Sequence, residues 1–99
     1  MATIIYPNGN QVNVIKEEGR FTLEDQQAIV EGYIEYGFID NESDTVMVVN
    51  DEGALRQLKP NQVASDLYWQ HWHAHKSRAI FGTVLVGTTK EILGDDEEE

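Results

Sequence analysis

One stretch of eleven residues concentrates the side chains best able to do chemistry. Tyr68-Trp69-Gln70-His71-Trp72-His73-Ala74-His75-Lys76-Ser77-Arg78 holds both tryptophans, all three histidines and two of the seven strong bases. Flat aromatic faces beside hydrogen-bond donors suit a nucleotide or another planar anion. On an acidic chain the stretch is a neutral to positive island.

Which histidines cooperate depends on the element that carries them. On a helix His71 and His75 share a face with Ala64 and Leu67, while His73 points nearly opposite; on a strand all three would align. Residues 62–75 are poor in the β-branched types that strands prefer, so the pattern predicts a helix, entered through Pro60-Asn61. H-x-x-x-H then supplies two imidazoles where a metal site needs a third ligand. No acid lies between them as in H-E-x-x-H, so metalloprotease chemistry has no general base there. Ser65 and Asp66 lie close in sequence, but no elbow motif surrounds the serine. The reading therefore assigns no catalytic residue, no metal and no cofactor.

The remaining roles are contacts. Tyr68 and Trp72 lie at one edge of the Val63, Ala64, Leu67, Ala74 stripe and extend a core. Trp69 sits about 90° from the stripe centre and is the strongest interface candidate. Asn61, following Pro60, is a turn or cap residue in the simplest reading. The ligand- or partner-binding set is Asn61, Tyr68, Trp69, His71, Trp72, His75 and Arg78.

The elements around this stretch are legible from periodicity and punctuation. Apolar, β-prone runs at 3–6 and 11–15 flank Pro7-Asn8-Gly9-Asn10, a hairpin signal. With Asn8-Gly9 as a two-residue turn, Ile5 faces Val12 and Thr3 faces Val14. Thr22 reads as the N-cap of a helix over 23–31, with Gly32 at C′ and Leu23, Ile29 and Val30 buried. Strands follow over 33–39 and 45–50, and a short one over 54–58. After the 62–75 helix, 79–86 reads as a last strand, central because both faces are apolar; Gly82 within it marks a bulge or a close backbone approach. The order ββαβββαβ predicts an α+β fold: a small antiparallel or mixed sheet with two helices packed on it.

Bulk properties bound the rest. Ninety-nine residues, 40% of them hydrophobic, suit one core. The expected division is a single domain over 1–93 and a disordered acidic tail over 94–99. Eighteen acids against seven Lys and Arg give a net charge of −11. Asp95 to Glu99 hold five of those acids, so thirteen still face seven bases elsewhere. Such a surface repels the phosphate backbone, which excludes direct duplex DNA binding. No cysteine is present, no apolar run approaches membrane-spanning length, and no signal-peptide pattern opens the chain. A cytoplasmic protein, away from membranes, is the expectation. A core this small also favours self-association as a dimer or higher oligomer.

Four short segments carry a family resemblance. Gly32-Tyr33-Ile34-Glu35, Asn50-Asp51-Glu52-Gly53, Leu58-Lys59-Pro60-Asn61 with Ala64, and Ile80-Phe81-Gly82-Thr83-Val84-Leu85-Val86-Gly87 resemble the family called domain of unknown function 3846. The likeness runs from about Thr3 to Gly87 and rests on architectural motifs. It implies an accessory protein of phages, plasmids or other mobile elements, acting in a host cytoplasm. It supplies no catalytic residue, and the aromatic and histidine stretch departs from the family's shorter members. The functional expectation is a non-catalytic binding protein that sequesters or inhibits a host component, either a small signalling nucleotide or a host defence protein. Two other readings stay open: an acidic DNA mimic that inhibits a nucleic-acid-binding protein, and a histidine-dependent metal hydrolase acting on nucleotides.

Overall fold

The structure, a computed structural model, describes residues 2–15, 20–40, 44–53, 55–71 and 79–94. It opens with strands β1 (Ala2–Ile5) and β2 (Gln11–Val14), helix α1 (Leu23–Val30), and strands β3 (Ile34–Asp40) and β4 (Thr45–Asn50). Helix α2 (Gln62–His71), strand β5 (Val84–Thr88) and helix α3 (Thr89–Leu93) complete it. The strands form one five-stranded sheet in the order β2-β1-β5-β4-β3. Every pairing is antiparallel.

Both sheet faces are covered, because the central strands are apolar on both sides. On β4, Val46 and Val48 face one way and Met47 and Val49 the other, all buried. The first pair joins Ala2, Phe21, Val30, Leu85 and Ile92 in a core under α1 and α3. The second joins Ile5, Ala64, Ile80 and Val84 under α2. Central β5, expected from its two apolar faces, pairs with β1 and β4.

The α+β class with helices packed on an antiparallel sheet is as expected; the departures are local. The hairpin register differs by one residue. Ile4, not Ile5, faces Val12, and Ala2, not Thr3, faces Val14. Pro7 explains it: its fixed φ suits the second position of a four-residue turn, closed by Gly9 N–H donating to Tyr6 O at 2.9 Å. Gly9 then takes φ 95°, and Tyr6 N–H donates to Asn10 O at 2.9 Å. A three-residue loop of this kind replaces the two-residue turn, and one residue of slip moves Val12 and Val14 to the α1 side.

Three further expectations about the elements are corrected. Residues 55–57 are turns rather than strand, with Arg56 N–H bonded to Glu52 O at 2.8 Å and Leu58 N–H to Gly53 O at 3.0 Å. The strand expected from 79 begins at Val84, because Gly82 at φ 85° interrupts the run; a Cβ there would lie 2.8 Å from Leu58 Cδ1. The third helix, α3, has a capping box of its own: Thr88 Oγ1 accepts from Glu91 N–H at 3.1 Å and Glu91 Oε1 from Thr88 N–H at 3.0 Å. Burial works to raise the Glu91 carboxyl, yet hydrogen bonds, those from Thr88 among them, hold it below its ordinary range. Gly94 closes this helix at φ 89°, its N–H shared between Thr89 and Lys90 carbonyls. Gly94 is thus the cap of α3; residues 95–99 of the expected tail lie outside the described residues.

Helix α1 also departs from its expected stripe. Thr22 and Asp25 form the capping box, and Val30 is buried, but Leu23 is 51% exposed and Gln26 is fully buried in its place. Its C-terminal left-handed residue is Glu31, at φ 67°, not Gly32. Gly32 meets a different demand: a Cβ there would lie 2.7 Å from Asn50 Nδ2 and 2.8 Å from Arg56 Nη1. Both groups donate to Glu31 O, satisfying a carbonyl that the helix end leaves open.

Candidate functional site

Helix α2 is held at its N-terminus by Asn61. The buried Asn61 side chain accepts from Ala64 N–H at 3.1 Å, which caps the helix. Its amide also donates to Ile5 O at 3.0 Å and to Gly82 O at 2.8 Å. Asn61 thus joins α2, the end of β1 and the segment leading into β5, and its amide is engaged within the fold on both sides. One turn on, buried Ser65 accepts from Ile80 N–H at 2.8 Å, so 79–82 is fixed along α2.

This arrangement opens a cleft of about 280 Å³ between the β3–β4 ribbon and residues 79–81. Its walls include Glu35, Val49, Asp51, Ile80 and Phe81. Glu35 and Val49 are register partners on the α2 face of the sheet, and Gly37 and Met47 are the next pair on that face. A small extension of about 40 Å³ runs from Glu35 past Gly37 to Tyr68. Gly37 lies beside that ring: a Cβ at Gly37 would be in contact with it, 3.4 Å from Tyr68 Cε1. Gly53 admits the Phe81 backbone, whose oxygen would lie 3.0 Å from a Cβ there. The cleft is therefore a groove lined by apolar Val49, Ile80 and Phe81 together with two acidic residues, Glu35 and Asp51. An apolar stem ending in a cation fits it better than a phosphate, which both carboxylates would repel.

The expected binding residues distribute unevenly around this groove. Tyr68 packs against the α2-side core and lines the groove's narrow end. Trp69 is half-buried rather than fully exposed. His71 closes α2; its imidazole, with Trp72, His75 and Arg78, lies outside the described residues, as does the expected continuation of the helix to 75. Among the described residues no group of three His, Asp or Glu side chains is placed to hold a metal ion, and no helix is long and apolar enough to cross a membrane.

Glu35, Asp51 and Phe81 were not singled out by sequence. Their signal lay in G-Y-I-E, N-D-E-G and I-F-G-T, which read as architecture because each is a strand or turn segment marked by a glycine. Alternation along β3 does place Glu35 and Gly37 on one face. What it lacks is the identity of the segment lying across that face.

A family model described as Domain of unknown function (DUF3846) matches residues 1–97, and the chain belongs to that family. No curated protein and no solved structure matches it.

Proposed function

We propose that this DUF3846 member is a non-catalytic binding protein that captures a host protein by taking a lysine or arginine side chain into the Glu35–Asp51 groove. The observation that supports it is the combination of two acidic residues with apolar Val49, Ile80 and Phe81 in one lining. A long basic side chain lays its methylenes on such a lining and presents its charge to the acids. Of the two ligand classes expected from sequence, this chemistry favours the protein over the signalling nucleotide, whose phosphates would meet like charge. The net charge of −11 would speed the approach of a basic partner. Action on a host component, and a phage or mobile-element origin, are the setting that the family resemblance suggests for such a binder.

The test is a comparison of three baits against host lysate: wild type, Asp51→Lys and Phe81→Ala. A host protein retained by wild type and lost from both variants, with its binding weakened by salt, supports the reading. Native mass spectrometry of wild type with a nucleotide panel supplies the opposite outcome. A nucleotide retained with an affinity indifferent to Asp51→Lys would replace the protein reading, and a converted nucleotide would make the protein an enzyme.

A further inference from the structure

The two edges of the sheet are unlike. The β3 edge carries the charged Glu35 and a backbone register irregularity between Phe38 and Asp40, the devices that keep an edge strand from pairing with another chain. The β2 edge carries none of them. All eighteen acids and all seven bases fall after Ile15, so the hairpin that forms this edge is uncharged in a chain of net charge −11. Val12 is 45% exposed and Ile15 72% exposed.

The hydrogen-bonding groups of this edge follow from the hairpin. Tyr6 N–H donates to Asn10 O, which makes Tyr6–Asn10 a hydrogen-bonded pair. Alternation then makes Ile4–Val12 and Ala2–Val14 hydrogen-bonded pairs as well, given the observed register. The backbone N–H and C=O groups of Gln11 and Asn13 therefore point away from β1, to the edge where no described strand lies.

We propose that β2 pairs antiparallel with β2 of a second copy about a two-fold axis at Asn13, making one ten-stranded sheet from two five-stranded ones. The choice of a second copy rests on charge and symmetry. Two copies of this acidic chain repel one another, and the uncharged hairpin is the stretch over which they approach without facing like charges. A two-fold axis perpendicular to the sheet keeps each face on its own side. Asn13 then meets the partner's Asn13, Val12 meets the partner's Val14 and Gln11 meets the partner's Ile15. The valines continue the apolar side that begins with Ala2 and Ile4. On the other side Asn13 Oδ1 accepts from the Thr3 hydroxyl at 2.9 Å, and its amide N–H₂ remains to meet its symmetry mate. The strand is short, so the dimer is weak and concentration-dependent.

Sedimentation equilibrium from micromolar to millimolar protein tests this with wild type, Asn13→Lys, Asn13→Glu and an equimolar mixture of the two variants. Asn13 is exposed, and thermal melts confirm that each variant is folded. Wild type is expected to dimerise. Each variant alone should dimerise about fivefold or more weakly, since like charges then stand directly opposite. The mixture should regain at least the wild-type affinity, because Lys meets Glu. A wild-type monomer throughout overturns the proposal. So does a mixture no stronger than its separate components, which would move the contact to another surface.

Discussion

The side-chain amide of Asn61 donates to the carbonyl of Ile5 at 3.0 Å, across 56 positions of sequence. With Gly82 O as its second acceptor and Ala64 N–H as its donor, it is one of three buried carboxamides that act as joints. Gln26 joins α1, α3 and β3; Asn50 joins β4 to the end of α1. No buried side-chain nitrogen or oxygen among the described residues lacks a partner, as buried polar groups require.

Asn61→Ala should therefore destabilise the protein by about 3 kcal/mol, the sum of a lost cap and unsatisfied buried carbonyls. Asn61→Asp discriminates between those causes. It keeps the acceptor for Ala64 but sets a carboxylate against two carbonyl oxygens, so it should do no better than alanine. Urea denaturation reads both, and a near-neutral aspartate would reduce Asn61 to a cap alone.

Gln26→Leu should cost about 2 kcal/mol despite its similar volume, because the Gln26 amide bonds Phe21 O at 2.7 Å, Ile92 O at 2.9 Å and the Tyr36 hydroxyl at 3.1 Å. Tyr36→Phe removes only the last of these. In a double-mutant cycle the pair should couple by about 0.5–1 kcal/mol. Strict additivity would show that the hydroxyl is satisfied by water instead.

Gly94→Val should be at least as harmful as Gly9→Val. Both glycines have positive φ, 89° and 95°, where a β-branched residue is strained. A Cβ at Gly9 meets nothing within 4 Å, whereas at Gly94 it would lie 2.6 Å from Arg20 Cδ. Arg20 is itself engaged, donating to Phe21 O and Ile92 O. Removal of 95–99 alone is expected to leave the melting temperature nearly unchanged, since five acids bury no apolar area. A harmless Gly94→Val would show that α3 frays without consequence.

The acid limb of stability should carry a contribution from Glu91. Its carboxyl is depressed in the folded state, so the stabilisation is fully present above its ordinary unfolded value and is lost as pH falls through the lower folded value. The stability difference between wild type and Glu91→Gln should accordingly be present at neutral pH and shrink as pH falls below the ordinary carboxylate range. A difference that stays constant over that fall would assign the effect to capping geometry rather than to charge.

Local chemistry was readable wherever neighbours within a few residues decide the outcome. Thr22 as a cap, Gly9 at positive φ, and the paired β3 and β4 are of this kind. The groove was not readable in the same way. Glu35 and Asp51 lie on either side of a hairpin, and Phe81 reaches them only because Gly53 and Gly82 lack a Cβ and Asn61 and Ser65 bind the 80–82 backbone. The aromatic and histidine stretch drew attention through side-chain type, while the residues lining the groove are common types made notable by position.

By itself the sequence determined the α+β class, the acidic surface with its uncharged hairpin, and the central place of β5, because composition and period act without reference to distant residues. Tertiary structure decided the rest. The hairpin loop passed from Asn8-Gly9 to a three-residue form, and the resulting register put Val14 against the α1-side core. Gln26 displaced Leu23 from the interior because three partners from distant segments met its amide, and burial of a polar group is favourable only when such partners exist. Gly94 became a cap because Arg20, 74 positions earlier in the sequence, packs where any Cβ would stand. The Gln26 and Gly94 outcomes depend on contacts between residues far apart in the chain, whose geometry no local pattern carries.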